Sequence, residues 1–143
     1  MSKQMYDVTT MLPHQKPMLM VSEIVACDDH SLSARACIEK DNPLLEKDGL
    51  FPGHAALELL AQASGLFLGL HVAGEARPGA IVSVRNMQVY TPWLSVNDSL
   101  MIETRFLGGS ESAAMFQGQV MHHQSVVMEA MLTVSSFPEG GMA

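Results

Sequence analysis

Residues 51–69, with the sequence FPGHAALELLAQASGLFLG, form a long and almost uninterrupted apolar stretch. Pro52 suits the first turn of a helix, and the residues after it predict a helix that reaches about residue 72. The polar residues in the stretch are His54, Glu58, Gln62 and Ser64. A helix that is apolar on all sides must be covered on all sides, so we expect it at the centre of the protein.

Three of these polar residues have the spacing of one helix face. His54, Glu58 and Gln62 are four residues apart, and such positions drift by only about 40° per step around a helix. Glu58 is then either a structural carboxylate held by hydrogen bonds or an acid–base group of a catalytic site. Gly53 lies where free helix N–H groups begin, and it would let the carbonyl of a ligand approach the backbone closely.

Short runs that alternate like β-strands flank the helix. Leu32, Ala34 and Ala36 alternate with polar residues, which is the period of a half-buried strand. We predict two strands before the helix, at 18–27 and 31–39, and four after it, at 80–90, 99–107, 113–122 and 126–137, with a turn at Gly108-Gly109. One helix wrapped by a curved antiparallel sheet of five to six strands is the hot-dog fold, an α+β architecture, here in a single domain over residues 1–143.

Composition narrows the class of protein. The chain has 143 residues, a net charge of −7 and a pI near 5.2, which argues against nucleic acid or an anionic membrane as a partner. The first residues lack a signal-peptide pattern and two cysteines do not make a disulfide framework, so we expect a cytoplasmic protein. The sequence has no HExxH pattern, no paired cysteines and no glycine-rich phosphate loop, so we expect neither a metal nor a cofactor.

Two motifs resemble those of a known enzyme family. FPGHAALELLAQASG, residues 51–65, is similar to the helix-start motif of the β-hydroxyacyl-[acyl carrier protein] dehydratases (FabZ- and FabA-like), which are hot-dog enzymes. LPHQKPMLMVSEIV, residues 12–25, is similar to the amino-terminal motif LPHRYPFLLVDRV of the same family. Within this family the chain most resembles the short, divergent ApeP-like branch associated with aryl polyene biosynthesis.

The resemblance implies roles for three residues. Glu58 falls on the catalytic acidic residue of the family. Gly53 falls on the glycine whose N–H polarises the thioester carbonyl, and Gln62 on the glutamine that supports the acidic residue.

One part of the family's catalytic pattern is missing. Relatives carry a catalytic histidine in the loop before the helix, and here that position is Leu44. His54, one turn before Glu58, is one candidate to replace it, because a histidine suits a general base near neutral pH. His14, in the LPH motif, is the other candidate.

The resemblance implies a dehydratase that removes water from a 3-hydroxyacyl thioester carried by an acyl carrier protein, without a cofactor. A hot-dog thioesterase is an alternative, because such enzymes also use an acidic residue at the start of this helix. A second alternative is a catalytically degenerate subunit that pairs with an active dehydratase, which the missing histidine motivates. We expect a homodimer, or a heterodimer with a related dehydratase, and no nucleic-acid or membrane partner.

Overall fold

The computed structural model of the chain describes residues 21–71, 79–110 and 112–136. Its elements in chain order are β1 (Val21–Cys27), β2 (Ser31–Cys37), β3 (Leu50–Pro52), a 3₁₀ turn (Gly53–Ala55), α1 (Ala56–His71), β4 (Gly79–Val89), β5 (Trp93–Ser95), β6 (Ser99–Ser110), β7 (Ala113–His122) and β8 (Ser125–Ser136). The predicted strand residues 18–20 and 137 lie outside the described ranges.

Six strands form one antiparallel sheet in the order β1-β2-β6-β7-β8-β4, and α1 packs against it. Inward-facing side chains follow the predicted alternation. Ala34 pairs with Ile102 and Ala36 with Leu100 across β2 and β6, and all four side chains are buried. A single helix covered by a curved six-stranded sheet confirms the predicted hot-dog fold.

The helix approaches the sheet closely at β7, where the strand carries a glycine. A Cβ atom at Gly118 of β7 would lie 2.3 Å from Leu60 Cδ1 of the helix, so glycine permits this approach. Ser64 and Thr104 are both buried, and their hydroxyl oxygens are 2.9 Å apart. Ser64 also donates to the Leu60 carbonyl at 2.9 Å, so these core hydroxyls are satisfied while they link α1 to β6.

The helix begins later than its sequence suggests. Pro52 is the N-cap, Gly53–Ala55 form a 3₁₀ turn, and regular α-helix runs over the 16 residues Ala56–His71. A 3₁₀ turn has about 3.0 residues per turn instead of about 3.6, so the rotation from residue 54 to residue 58 differs from that of a continuous α-helix. No helix within the described ranges is long and apolar enough to cross a membrane.

Two short strands and one glycine pair depart from the prediction. β3 and β5 pair with each other outside the main sheet, and their three residues each are too few to show a period. Gly108 and Gly109 were expected to form a turn, but both lie within β6, which continues to Ser110. The reason is a bulge after Phe106, where the two glycines adopt φ values of 142° and 111°.

Candidate active site

The side chains of Glu58 and Gln62 meet on the first turns of α1. Gln62 is buried, with 1% of its surface exposed, and its Nε2 donates to Glu58 Oε1 at 3.2 Å. Gln62 Oε1 accepts the main-chain N–H of Val21 in β1 at 3.3 Å. The four-residue spacing seen in the sequence therefore does bring these two side chains together, and a strand outside the motif holds the amide from its other end.

Glu58 itself is half-buried in this chain, whereas Gln62 below it is fully covered. The carboxylate thus lies at the boundary between the core and the surface. Such a position allows a carboxylate to be oriented by a buried partner and still reach a ligand that approaches the start of the helix.

Gly53 has a packing role in addition to the role predicted for it. Its N–H donates to the Pro92 carbonyl at 2.8 Å, so this donor already has an acceptor. A Cβ atom at Gly53 would lie 1.9 Å from Thr91 O and 3.1 Å from Val89 Cγ1. Glycine is therefore needed here because residues 91–92 pack directly against the start of the helix, and the approach of a ligand is not the only reason for it.

The next N–H groups along the chain are those of His54 and Ala55. Helical hydrogen bonding gives the N–H groups of a first turn no acceptor within the helix. The first turn therefore still presents donors at the position where the resemblance calls for one, but they come after Gly53.

The structure describes one of the two candidate histidines. His54 lies on the 3₁₀ turn with an exposed side chain, and the hydrogen bonds of the described residues do not join it to Glu58. His14 lies outside the described residues. Leu44, at the position where relatives carry a histidine, packs partly buried against the core.

Apolar side chains are exposed along β4 and at the corner that follows it. They are Val82, Val84, Val89, Tyr90 and Trp93, and we call them the edge patch. β4 is the last strand of the sheet, and no other strand of the described ranges pairs with its outer edge. Trp93 pairs with Pro52 across β3 and β5, which places the Trp93 end of the patch next to the first turn of the helix. The sequence analysis did not predict this patch, since its members come from an edge strand and from the corner that follows it.

Tyr90 of the edge patch is held in place by the sheet. Its hydroxyl donates to Glu129 Oε1 at 2.5 Å, and this hydrogen bond raises the pKa of Tyr90. The main chain of Trp93 lies in the ladder of β5, and both aromatic side chains are exposed.

The other described histidines lie away from this site. His122 Nε2 is 3.6 Å from Asp98 Oδ1, and its ring packs on that of His123. His71 stacks on Phe67 at the far end of α1, with ring centroids 4.2 Å apart. Over the described ranges, the His, Cys, Asp and Glu side chains form no group of three that could hold a metal ion.

Comparison with known proteins gives results of three kinds. A family model described as ApeP-like, ApeP dehydratase, matches residues 6–140. The 3-hydroxyacyl-[acyl-carrier-protein] dehydratase FabZ of Tolumonas auensis is 27% identical over 137 residues, covering 88% of this chain and 89% of that protein. The FabZ of Aeromonas hydrophila is 26% identical, with 88% of each chain covered.

Among solved structures, the dehydratase heterocomplex ApeI:P from Xenorhabdus doucetiae matches with a TM-score of 0.87 and 23% identity, over 96% of this chain and 95% of that one. A mutant thioesterase, PA1618 from Pseudomonas aeruginosa, matches less well, with a TM-score of 0.60 and 18% identity over 78% of each chain. At these identities the structural matches establish the fold.

Proposed function

The chain belongs to the ApeP-like dehydratase family, and on that premise we propose that it removes water from a 3-hydroxyacyl thioester held on an acyl carrier protein. In this reaction the α-carbon loses a proton and the β-carbon loses its hydroxyl, which leaves as water once protonated. The C–C bond between them becomes a double bond. The observation that carries the proposal is the position of Glu58, which is half-buried at the start of the central helix and accepts a hydrogen bond from the buried amide of Gln62.

We assign Glu58 as one of the two acid–base groups. A carboxylate in this position can protonate the leaving hydroxyl or accept the α-proton, and positioned acid–base catalysis typically contributes about 10²–10⁴-fold. A histidine, His54 or His14, takes the complementary role. His54 is exposed and one turn before Glu58, so it needs a substrate or a second subunit over it to exclude water.

The start of the helix supplies the group that stabilises the thioester oxygen. Removal of the α-proton places negative charge on that oxygen, and N–H donors at a positive helix end are suited to it. Because the Gly53 N–H is bonded to Pro92 O, we assign this role to the first-turn N–H of His54.

We further propose that the edge patch receives a second hot-dog dehydratase subunit, either a copy of this chain or a related one. A strand edge that no described strand covers, together with exposed valines and two exposed aromatic rings, has the character of an interface, since such edges associate readily. The patch adjoins the helix start through Trp93 and Pro52, so a subunit seated there would also cover the exposed side of the site. A hot-dog protein of closely similar shape is solved as a dehydratase heterocomplex.

The interface can be tested by Trp93→Asp, measured by native mass spectrometry alone and with a co-purifying hot-dog dehydratase. We expect the substitution to abolish association while the fold is retained, because it places a charge in the apolar patch. The matched control is Leu107→Asp, which alters another exposed apolar residue outside the patch. Association that survives Trp93→Asp unchanged would place the interface elsewhere.

The reaction can be tested by incubating the protein with a 3-hydroxyacyl-carrier thioester, alone and with the related subunit, and weighing the acyl chain. A chain lighter by one water supports the dehydratase. Release of a free acid would instead indicate a thioesterase. Dehydration that requires the related subunit and is unaffected by Glu58→Gln would make this chain a degenerate partner.

A further inference from the structure

The buried amide of Gln62 bonds to a hydrogen-bond donor at its oxygen and to an acceptor at its nitrogen. Its oxygen accepts the Val21 N–H at 3.3 Å, and its nitrogen donates to Glu58 Oε1 at 3.2 Å. Val21 is the first described residue of β1, an edge strand of the sheet, and 41 residues separate it from Gln62. The main chain of an edge strand is thus connected to the carboxylate through one side chain.

The main-chain N–H decides which way the amide faces. An N–H can only donate, so the atom of Gln62 that faces Val21 must be its oxygen. The NH₂ group then has to face Glu58, where it can only donate. If the Val21 N–H were removed, the amide oxygen would lose this donor, and β1 would no longer constrain the position of the NH₂ group at Glu58.

On the basis of the proposed function, we infer that the main-chain N–H of Val21 is a positioning group for catalysis. It helps to hold the Gln62 amide so that its NH₂ group donates to Glu58 Oε1, which orients the carboxyl group for the acid–base step. Val21 does not touch the substrate in this account and acts only through Gln62. The attachment of β1 to the helix is therefore a condition for the correct orientation of the carboxylate.

Val21→Pro tests the inference, because proline has no N–H and edge strands tolerate it. We expect kcat to fall about tenfold to 10²-fold with little change in KM, the size of effect that misplacing a catalytic group produces. Gln62→Met, which keeps the bulk of the side chain without its amide, should have a similar effect. In the Gln62→Met background, Val21→Pro should lower kcat no further.

The control for lost stability is Ile24→Ala, which trims a buried side chain of the same strand without touching the amide. We expect it to lower the melting temperature and leave kcat of the folded protein within about twofold of the wild type. The inference is wrong if Val21→Pro lowers kcat equally with and without Gln62. It is also wrong if Val21→Pro leaves kcat unchanged.

An NMR measurement tests the same link without any activity. Loss of the acceptor in Gln62→Met should move the Val21 amide proton upfield and speed its exchange with solvent, and Ser64→Ala, another buried polar position of the helix, should not. An unchanged Val21 amide in Gln62→Met would overturn the inference even if Val21→Pro fails to fold. If the amide responds but no thioester is dehydrated, the proposed function has failed and the structural link stands.

Discussion

Gly53→Ala is the substitution for which the structure predicts the clearest effect. The added Cβ would lie 1.9 Å from Thr91 O and 3.0 Å from the Thr91 carbonyl carbon. Both are main-chain atoms, so a side-chain rotation cannot relieve the contact. Helix and residues 91–92 would have to separate until the Cβ–oxygen distance is at least 3.0 Å. That movement acts directly on the 2.8 Å hydrogen bond from Gly53 N–H to Pro92 O.

The expected cost has two parts. Overpacking a tight site typically costs about 1–3 kcal/mol, and leaving a buried hydrogen-bonding group unsatisfied costs about 1–3 kcal/mol. We therefore expect Gly53→Ala to lower the free energy of unfolding by about 2–6 kcal/mol. For a chain of this length each kcal/mol lowers Tm by roughly 2–4 °C, which gives a decrease of roughly 4–24 °C.

Thermal and urea unfolding followed by circular dichroism measure this effect. The control is Gly49→Ala, because Gly49 has a φ of 78° and no atom within 4 Å of an added Cβ. It should pay only the backbone cost of about 1–2 kcal/mol. A Gly53→Ala protein as stable as the wild type would refute the packing argument. If such a protein were stable but inactive, Gly53 would serve the ligand as the family resemblance implies.

Three further outcomes can be checked. His54→Ala keeps the main-chain N–H of residue 54, and His54→Pro removes it. We therefore expect kcat to be about 10²–10³-fold lower in His54→Pro than in His54→Ala. Equal kcat values would exclude this N–H as the oxyanion donor. The Glu129 hydrogen bond raises the pKa of Tyr90, so its stabilisation is present below the ordinary tyrosine pKa and lost as pH rises through the raised value. In alkaline absorbance titration, Tyr90→Phe should therefore lose a transition that lies above the ordinary tyrosine pKa. Loss of a transition at or below that ordinary pKa would contradict the assignment. The main-chain N–H groups of His30 and Ser31 lower the pKa of Asp28, so Asp28→Ala should reduce the free energy of unfolding at neutral pH. The difference in stability between Asp28→Ala and the wild type should vanish as pH falls below that lowered pKa. A difference that persists in urea unfolding at low pH would be inconsistent with this cause.

The elements that the sequence predicts well are those with a repeated local pattern. The alternation of Leu32, Ala34 and Ala36 placed β2 and its inward face correctly, and β7 was predicted with its observed bounds, residues 113–122. The spacing of Glu58 and Gln62 predicted that they share a helix face, and their side chains are in contact because one helical turn separates them. The missed features depend on pairs far apart in the chain.

The Gly53–Pro92 hydrogen bond and the Val21–Gln62 hydrogen bond illustrate why. Each joins a main-chain group to a residue about 40 positions away, and no local period records such a contact. The 3₁₀ turn before α1 lies where residues 91–92 pack against the helix start. Because of this turn, His54 has a different angular position around the helix axis from the one it would have in a continuous α-helix. Of the three equally spaced residues, only Glu58 and Gln62 therefore share a face of α1.

The central claim is that Glu58 is an acid–base group of a dehydratase. The direct measurement is the rate of water loss from a 3-hydroxyacyl-carrier thioester by wild type and by Glu58→Gln, each with the related subunit present and each shown to melt within a few degrees of the other. We expect Glu58→Gln to lower kcat by about 10²–10⁴-fold while the thioester stays intact. Dehydration at the wild-type rate by folded Glu58→Gln would contradict the account.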